Sequence, residues 1–507
     1  MLTKFKKFAT LGLAGGLLLA ACGNDDVATE SDTDTSNNDG TETVESNEPA
    51  QITWMNMLHT ASPPTDTIIN ELEEYTNTEL DFTWIPDASK EERLTTALAS
   101  GNLADIVTLT ILDNSSVRNA LKAGMFWDIG PFVDEFDNLA EMTEDFRTSA
   151  SIEGSLYGVP FQKPLARNGV ILRGDWLDNL GLEAPTTVAE LYEVARAFTE
   201  DDPDGDGQDN TVGFTDRSDL KYGAFKTLAT YHGAPNEWKE ENGSFVPQFD
   251  TPEYIAGMDY MKDLYDNGYI NQDFAVTAKN DQQESFAQGK AGIYVGSLTD
   301  ARNLNSMAAG IQDDMEILQL NEFSIDGSNP AVWSDNNGVG GLLAFPMSEV
   351  EDETELRAVL QFVNDLIDVE AYTLMTHGID GVHSEIDGNV AVRLDEDLWQ
   401  QEVQPFSSSR PREIGYDFVA DDAVKQISDE LIIENEALAL LNPAYPLESE
   451  TYTTYGSELA IIIEDATYKY ILGELDLDGY QAEVQKWYDQ GGQDIVDEYD
   501  AAWAAIN

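Results

Sequence analysis

Cys22 is the only cysteine in 507 residues. Structural disulfides and Cys-rich metal sites are therefore excluded. Whatever folds downstream must be held together without disulfides, mainly by its hydrophobic cores. The material for them is present, since 42% of residues are hydrophobic and 10% aromatic. From Gln51 to Asn507 the chain is longer than one core ordinarily supports, which predicts two domains. The stretch before Gln51 does not belong to either. Residues 23–50 are polar and acidic, rich in Ser, Thr and Asn, and free of aromatics. Such a segment cannot bury enough apolar surface to offset the entropy of ordering, so it is expected to be a flexible tether.

Upstream of Cys22 stand Lys4, Lys6 and Lys7, then an apolar run from Phe8 to Ala21. A basic head, a short apolar segment and small residues at its end make a secretory signal. The run falls short of the ~20 residues a membrane-spanning helix needs. Leu19-Ala20-Ala21-Cys22 resembles a bacterial lipobox. That resemblance implies that residues 1–21 are removed, that Cys22 is lipidated, and that residues 22–50 tether the body to the extracellular face of the cell membrane. The competing reading is an ordinary signal with a coincidental cysteine.

Acids outnumber Lys and Arg 96 to 27, for a formal charge of −69. Phosphate backbones are repelled by such a surface, which excludes non-specific nucleic-acid binding. The acids are spread along the whole chain. That distribution describes a solvated shell suited to a salty or alkaline exterior better than an acidic ligand surface.

Short apolar runs at Ile52–Asn56, Leu80–Ile85 and Ile106–Leu112 predict strands. Between them, Thr65–Tyr75 and Lys90–Ala99 predict helices, the second stopped by Gly101. Strand, helix, strand, helix, strand is the pattern of an α/β domain with a mainly parallel sheet. Further on, Val188, Leu191, Val194, Ala195 and Phe198 keep a helical stripe behind a Thr187/Glu190 capping box. Thr251-Pro252 opens another helix. Leu356, Val359, Leu360, Val363 and Ile367 make a third stripe, and the last hundred residues are expected to be largely helical. Trp176 and Trp487 sit on helical stripes and belong in the core.

Several stretches resemble one family in that family's own order. Leu98-Ala99-Ser100-Gly101-Asn102-Leu103-Ala104-Asp105-Ile106 resembles a signature of family 1 extracellular solute-binding proteins, the binding components of carbohydrate ABC importers. Tyr157-Gly158-Val159-Pro160 and Gly174–Leu182 resemble its first crossing between lobes. Phe286–Ile293 resembles its return crossing. Gly378–His383 and Tyr470–Gly473 resemble the later part of the long oligosaccharide or uronic-acid subgroup. The resemblance implies an α/β, two-lobe, periplasmic-binding-protein-like fold with hinge-linked lobes. Lobe one would take residues 51–165 with 295–340, and lobe two 166–294 with 341–507. It also implies a monomer that captures a carbohydrate by lobe closure and passes it to ABC importer permease subunits.

Asp202-Pro203-Asp204-Gly205-Asp206-Gly207-Gln208-Asp209-Asn210 is the sharpest local motif. Carboxylates at positions 1, 3 and 5, a glycine at 6 and a backbone carbonyl at 7 suit calcium, which accepts ~6–8 oxygens in flexible geometry. Asp202, Asp204, Asp206, Gln208 and Asn210 are the expected ligands. The resemblance implies a calcium loop at this place too, although the family pattern continues Asp-Glu where this chain has Asn210-Thr211, and Gly213 stands at position 12.

A sugar ring packs its C–H face on an aromatic side chain and turns its hydroxyls to planar polar groups. The candidates placed near strand ends or in cleft loops are Trp54, His59, Asp113, Tyr157, Arg167, Tyr231, Trp333, Asn336, Arg410 and Tyr416, with Phe161, Tyr222, Tyr294, Asn114, Asp335 and Arg412 as further aromatic and polar companions; Trp54, Trp333 and Arg410 stand first among them. Arg410 lies in a loop unusually basic for this chain, and Arg can pair bidentately with a uronate carboxylate. For each, core packing or plain surface is the competing reading.

No catalytic residues are expected. The chain has no His-Glu-x-x-His, no Gly-x-Ser-x-Gly and no phosphate loop. A surface glycan hydrolase working through paired carboxylates, and a lipoprotein presenting ligand to a sensor kinase, are the alternatives.

Overall fold

The strand expected at Ile52–Asn56 runs from Ala50 to Leu58 and pairs in parallel with Thr78–Pro86, setting Trp54 opposite Phe82. The computed structural model describes residues 49–60, 62–112, 114–411 and 422–506. Local signals decide most of the early elements. Thr65 caps the helix Asp66–Thr76 through its side chain, and Asn77 ends it in the left-handed conformation at φ 51°. Lys90–Ser100 stops at Gly101, at φ 67°, as expected of a left-handed helix cap.

The first sheet has the order Thr78–Pro86, Ala50–Leu58, Ile106–Leu109, Val339–Ala344, Gly158–Gln162. Val339–Ala344 runs antiparallel to both its neighbours. The second sheet has the order Ile317–Leu320, Asn168–Arg173, Ala291–Ser297, Val212–Thr215. Its pairings are antiparallel except the last. Each sheet has its own core. Trp54, Ile106, Leu342, Phe362 and Phe406 belong to the first, and Trp176, Phe214, Trp238, Ile463 and Trp487 to the second. The capping box at Thr187 and Glu190 and the Thr251-Pro252 helix start are both present.

The chain crosses between Gln162 and Asn168, a span that contains the expected 165/166 boundary, while the stretches likened to that crossing, Tyr157–Pro160 and Gly174–Leu182, lie within the lobes on either side. The return differs. Ala291–Ser297 lies inside the second sheet rather than between lobes. Gly292 is needed there because a β-carbon would stand 2.3 Å from the Phe198 ring and 2.6 Å from the Trp176 ring. The glycine of that motif serves close helix-to-strand packing. The chain stays in lobe two through Val332–Trp333 and returns over 334–338. Asn336, Asn337 and Gly338 there are consecutive left-handed residues with φ of 50°, 50° and 78°. Left-handed backbone is tolerated by Asn and Gly, which explains why the turn is made of them.

The expected partition is therefore corrected. Lobe one is built from residues 50–162 and 339–406, and residues 295–335 belong to lobe two. The stripe Leu356, Val359, Leu360, Val363 packs in the first core. The chain then passes back, and Ala423–Asn435 sets Ile432 against Leu298 and Leu304 of lobe two. Among the described residues no helix is long and apolar enough to cross a membrane. Cys22 and tether residues 22–48 lie outside the described residues.

Candidate ligand cleft and acidic loop

An inner cavity of about 210 Å³ takes its walls from both lobes and from the return crossing. Lobe one supplies Thr110, just past the strand Ile106–Leu109, and Arg118 from the helix Ser115–Lys122. Lobe two supplies Lys221, Glu237, Asn442 and Tyr452, and the crossing supplies Asn336. Ser449, which caps the 22-residue helix Glu450–Ile471, also lines it. A helix N-terminus favours negative charge at that wall. Thr110 Oγ1 is buried without a hydrogen-bond partner among the described residues, so a ligand hydroxyl can satisfy it.

The polar wall of lobe two is one connected network. Lys226 is 6% exposed, with Nζ 3.2 Å from Glu237 Oε1 and 4.5 Å from the centre of the Trp333 ring. Lys221 Nζ stands 3.7 Å from Glu237 and 3.4 Å from Asp335. Asn442 Nδ2 donates to Glu237 Oε2 at 3.0 Å, and Asn337 Nδ2 donates to the Asn442 carbonyl at 3.0 Å. Burial alone would raise the Glu237 carboxyl, but Lys226 and Lys221 outweigh it and hold it below the ordinary range. Burial alone would lower Lys221, but Glu237 and Asp335 outweigh it and hold the ammonium above its ordinary range.

A second cavity, of about 500 Å³, lies on lobe two beside the first crossing and is lined by Arg167, Arg217, Tyr222 and Lys279. Arg167 is 3.6 Å from Asp335, and the Tyr222 hydroxyl is 3.3 Å from the same carboxylate. An outer groove of about 1080 Å³ runs from Glu153 and Leu156 of lobe one to Leu447, Glu448 and Trp503 of lobe two.

The structure distributes the expected sugar contacts unevenly. Asn336 lines the inner cavity and Arg167 the second one. Trp54 does not present a face to ligand. It is 1% exposed, stacks 5.2 Å from Phe82, and donates from Nε1 to Thr108 Oγ1 at 3.0 Å. Trp333 is also 1% exposed; its Nε1 donates to Thr227 Oγ1 at 3.0 Å while its ring lies under Lys226. Tyr231 is buried with its ring 5.2 Å from Phe323. All three are corrected from ligand contacts to core. Their elements are covered on both faces, so a large aromatic near a strand or helix end is still inside. Arg410 is likewise corrected. It donates to Thr376 Oγ1 at 3.0 Å on the helix Val369–Thr376 and lines neither cleft cavity. His59 is exposed, 3.5 Å from Asp87, and Tyr157 is half-buried against the first core; neither lines these cavities. Asp113, Arg412 and Tyr416 lie outside the described residues. Sequence reasoning passed over Arg118, Lys221, Glu237, Asn442 and Glu448. The available signal was the scarcity of cations, which makes any two brought close together informative.

Asp202, Asp204 and Asp206 bring carboxylate oxygens within 4.8 Å of one another in the loop between Val188–Glu200 and Val212–Thr215. Gly207, at φ 76°, makes the tight turn, and its N–H donates to Asp202 Oδ2 at 3.1 Å. Gln208 N donates to Asp206 Oδ1 at 2.7 Å, and Asn210 Nδ2 donates to Asp206 Oδ2 at 3.1 Å. Burial, with Asp206 and Asp202 alongside, holds the Asp204 carboxyl above its ordinary range. A divalent cation would relieve that crowding, so the donor set fits calcium.

A family model described as "Bacterial extracellular solute-binding protein" matches residues 60–344. The chain is 45% identical over 456 residues to the polygalacturonan/rhamnogalacturonan-binding protein YtcQ of Bacillus subtilis (strain 168), covering 89% of this chain and 91% of the relative. It is 33% identical over 439 residues to lipoprotein LipO of the same strain, covering 84% and 87%. The solved structure of the alginate-binding protein AlgQ2 without calcium ion aligns with TM-score 0.63 at 16% identity, covering 90% of this chain and 98% of that one.

Proposed function

The chain belongs to the bacterial extracellular solute-binding proteins, and on that footing we propose that it captures an acidic oligosaccharide of uronic-acid units between its lobes and delivers it to the permease subunits of an ABC importer. One observation carries this reading. The cavity walled by both lobes gathers Arg118 and Lys221, with Lys226 behind, in a chain with 27 cations against 96 acids. A polyuronate is repelled by most of this surface, and here its carboxylates meet three cations whose present partners are Glu237, Asp335 and Glu448. The names of the polygalacturonan/rhamnogalacturonan-binding YtcQ and the alginate-binding AlgQ2 point to the same class of ligand. Contacts made by both lobes at once exist only when the lobes approach, so ligand draws the protein toward closure.

The reading includes an anchor at Cys22, supported by the lipoprotein name of the second relative, and a structural calcium at Asp202, Asp204 and Asp206. Binding, not bond cleavage, is the activity, as in the family.

Titration calorimetry with oligogalacturonate and with its fully methyl-esterified form tests the reading. Heat of binding with the acid and a much weaker response with the ester is expected. Equal affinity for both would leave the cations without a role in recognition.

A further inference from the structure

Arg118 and Lys122 stand one turn apart on the helix Ser115–Lys122 of lobe one, and Glu448 of lobe two reaches both. An Arg118 Nη2 to Glu448 Oε1 ion pair joins the lobes. Lys122 Nζ is 3.7 Å from Glu448 Oε2 and 2.8 Å from Glu153 Oε1. Arg118 Nη1 donates to the Leu112 carbonyl at 3.3 Å, which fixes the guanidinium in place.

The pair stands at a boundary. Arg118 lines the inner cavity, Glu448 lines the outer groove, and Leu447 lines both. The inner space of about 210 Å³ is smaller than the ~300–1,000 Å³ usual for a ligand pocket. An oligosaccharide needs more room than that, and one that extends past Leu447 into the outer groove passes the Arg118–Glu448 contact. At that point it meets a guanidinium that already holds a carboxylate.

We infer that Glu448 occupies the place of a ligand carboxylate, and that a uronate bound across the boundary displaces it from Arg118 and Lys122. This rests on the acidic-saccharide reading given above. The exchange keeps the charge balance, because one carboxylate replaces another on the same two cations. Glu448 borders the groove and can turn to water when released. Arg118 is largely enclosed, with 17% of its side chain exposed, so withdrawing the Glu448 carboxylate from it without replacement is costly. A neutral saccharide offers no replacement, so for it the boundary stays closed. Glu448 thus sets specificity by competition: a ligand that crosses the boundary must unseat it, only an acid restores what was lost, and a neutral saccharide stays on its own side of the boundary with or without Glu448.

The test compares Glu448→Gln with the unaltered chain, by calorimetry with oligogalacturonate and with its fully methyl-esterified form. Glu448→Ala and melting curves serve as checks on folding. Removing the competitor is expected to tighten acid binding about tenfold, which corresponds to ~1.4 kcal/mol, and to change ester binding by less than about twofold. Adding Arg118→Gln should erase that gain. Equal tightening for both ligands would mean that the pair only straps the lobes together, and it overturns the inference. So does an unchanged or weaker affinity for the acid in both Glu448 variants. If the unaltered chain binds the acid but the variants show no selective gain, only this inference falls. If the unaltered chain binds no oligogalacturonate, the acidic-saccharide reading falls and this one with it.

Discussion

Lys226 Nζ lies 3.2 Å from Glu237 Oε1 beside the inner cavity, and each of the two holds the other in its charged form. Burial pulls the Lys226 ammonium down, with Glu237 opposing it. Removing one partner leaves an uncompensated buried charge, the costly way to break such a pair. Glu237→Gln keeps the shape and the bond from Asn442 but removes the charge. It is expected to cost about 3–5 kcal/mol of stability, read by urea denaturation. Adding Lys226→Met should recover most of that loss. The pH dependence has a definite sign. Glu237 is held low, so its contribution is present above its ordinary value of 4.5 and is lost as pH falls through its folded value. The Glu237→Gln deficit should shrink in acid.

Trp54 belongs to the core, so its replacement tests packing, not recognition. Trp54→Ala should cost about 3–5 kcal/mol. Trp54→Phe should keep saccharide affinity within about twofold, which is ~0.4 kcal/mol on the same scale. A large affinity loss in a well-folded Trp54→Phe, measured by calorimetry, would return this residue to the ligand site.

The loop at Asp202, Asp204 and Asp206 predicts a calcium-dependent melting temperature. Chelation should lower it and added calcium restore it, because an ion bound only by the folded chain stabilises by mass action. Asp204→Ala should remove that difference and leave saccharide binding intact, since the loop lies away from both cleft cavities. A melting curve indifferent to chelator and calcium would delete the metal.

Asp216 is buried, and desolvation raises its carboxyl from 3.8 to about 7 against the bonds it accepts from the backbone of Ala224 and Arg217. A carboxyl raised on folding favours the native state while protonated. Its contribution is full below 3.8 and is lost as pH rises through about 7. Asp216→Asn is permanently neutral, and its Oδ1 can still accept from Ala224 N, now at 3.0 Å. Its melting temperature relative to the unaltered chain should climb between pH 4 and pH 8. A constant difference across that range would show that Asp216 is charged throughout.

Features decided by neighbours in sequence were legible beforehand. The Thr187/Glu190 box and the Thr251-Pro252 start need only residues within one turn, and both stand where the pattern put them. The Asp-x-Asp-x-Asp loop is equally local. The lobe partition was not legible, because glycine signals two different needs. Gly292 permits two rings to approach, whereas Gly338 supplies left-handed backbone at the crossing, and a string of letters does not separate them. Aromatic candidates failed for a related reason. Alternation tells which face of a strand a residue takes, but not that both faces are covered, as for Trp54 under Phe362. The cleft itself joins Arg118, Glu237, Asn336 and Asn442 from separate parts of the chain, and only the fold brings them together.

Capture between lobes is the central claim, and small-angle scattering tests it most directly. The radius of gyration of the full mature chain should fall when saturating oligogalacturonate is added, and should not respond to the fully methyl-esterified form at the same concentration. An unchanged radius with the acid demonstrably bound would contradict capture by lobe closure.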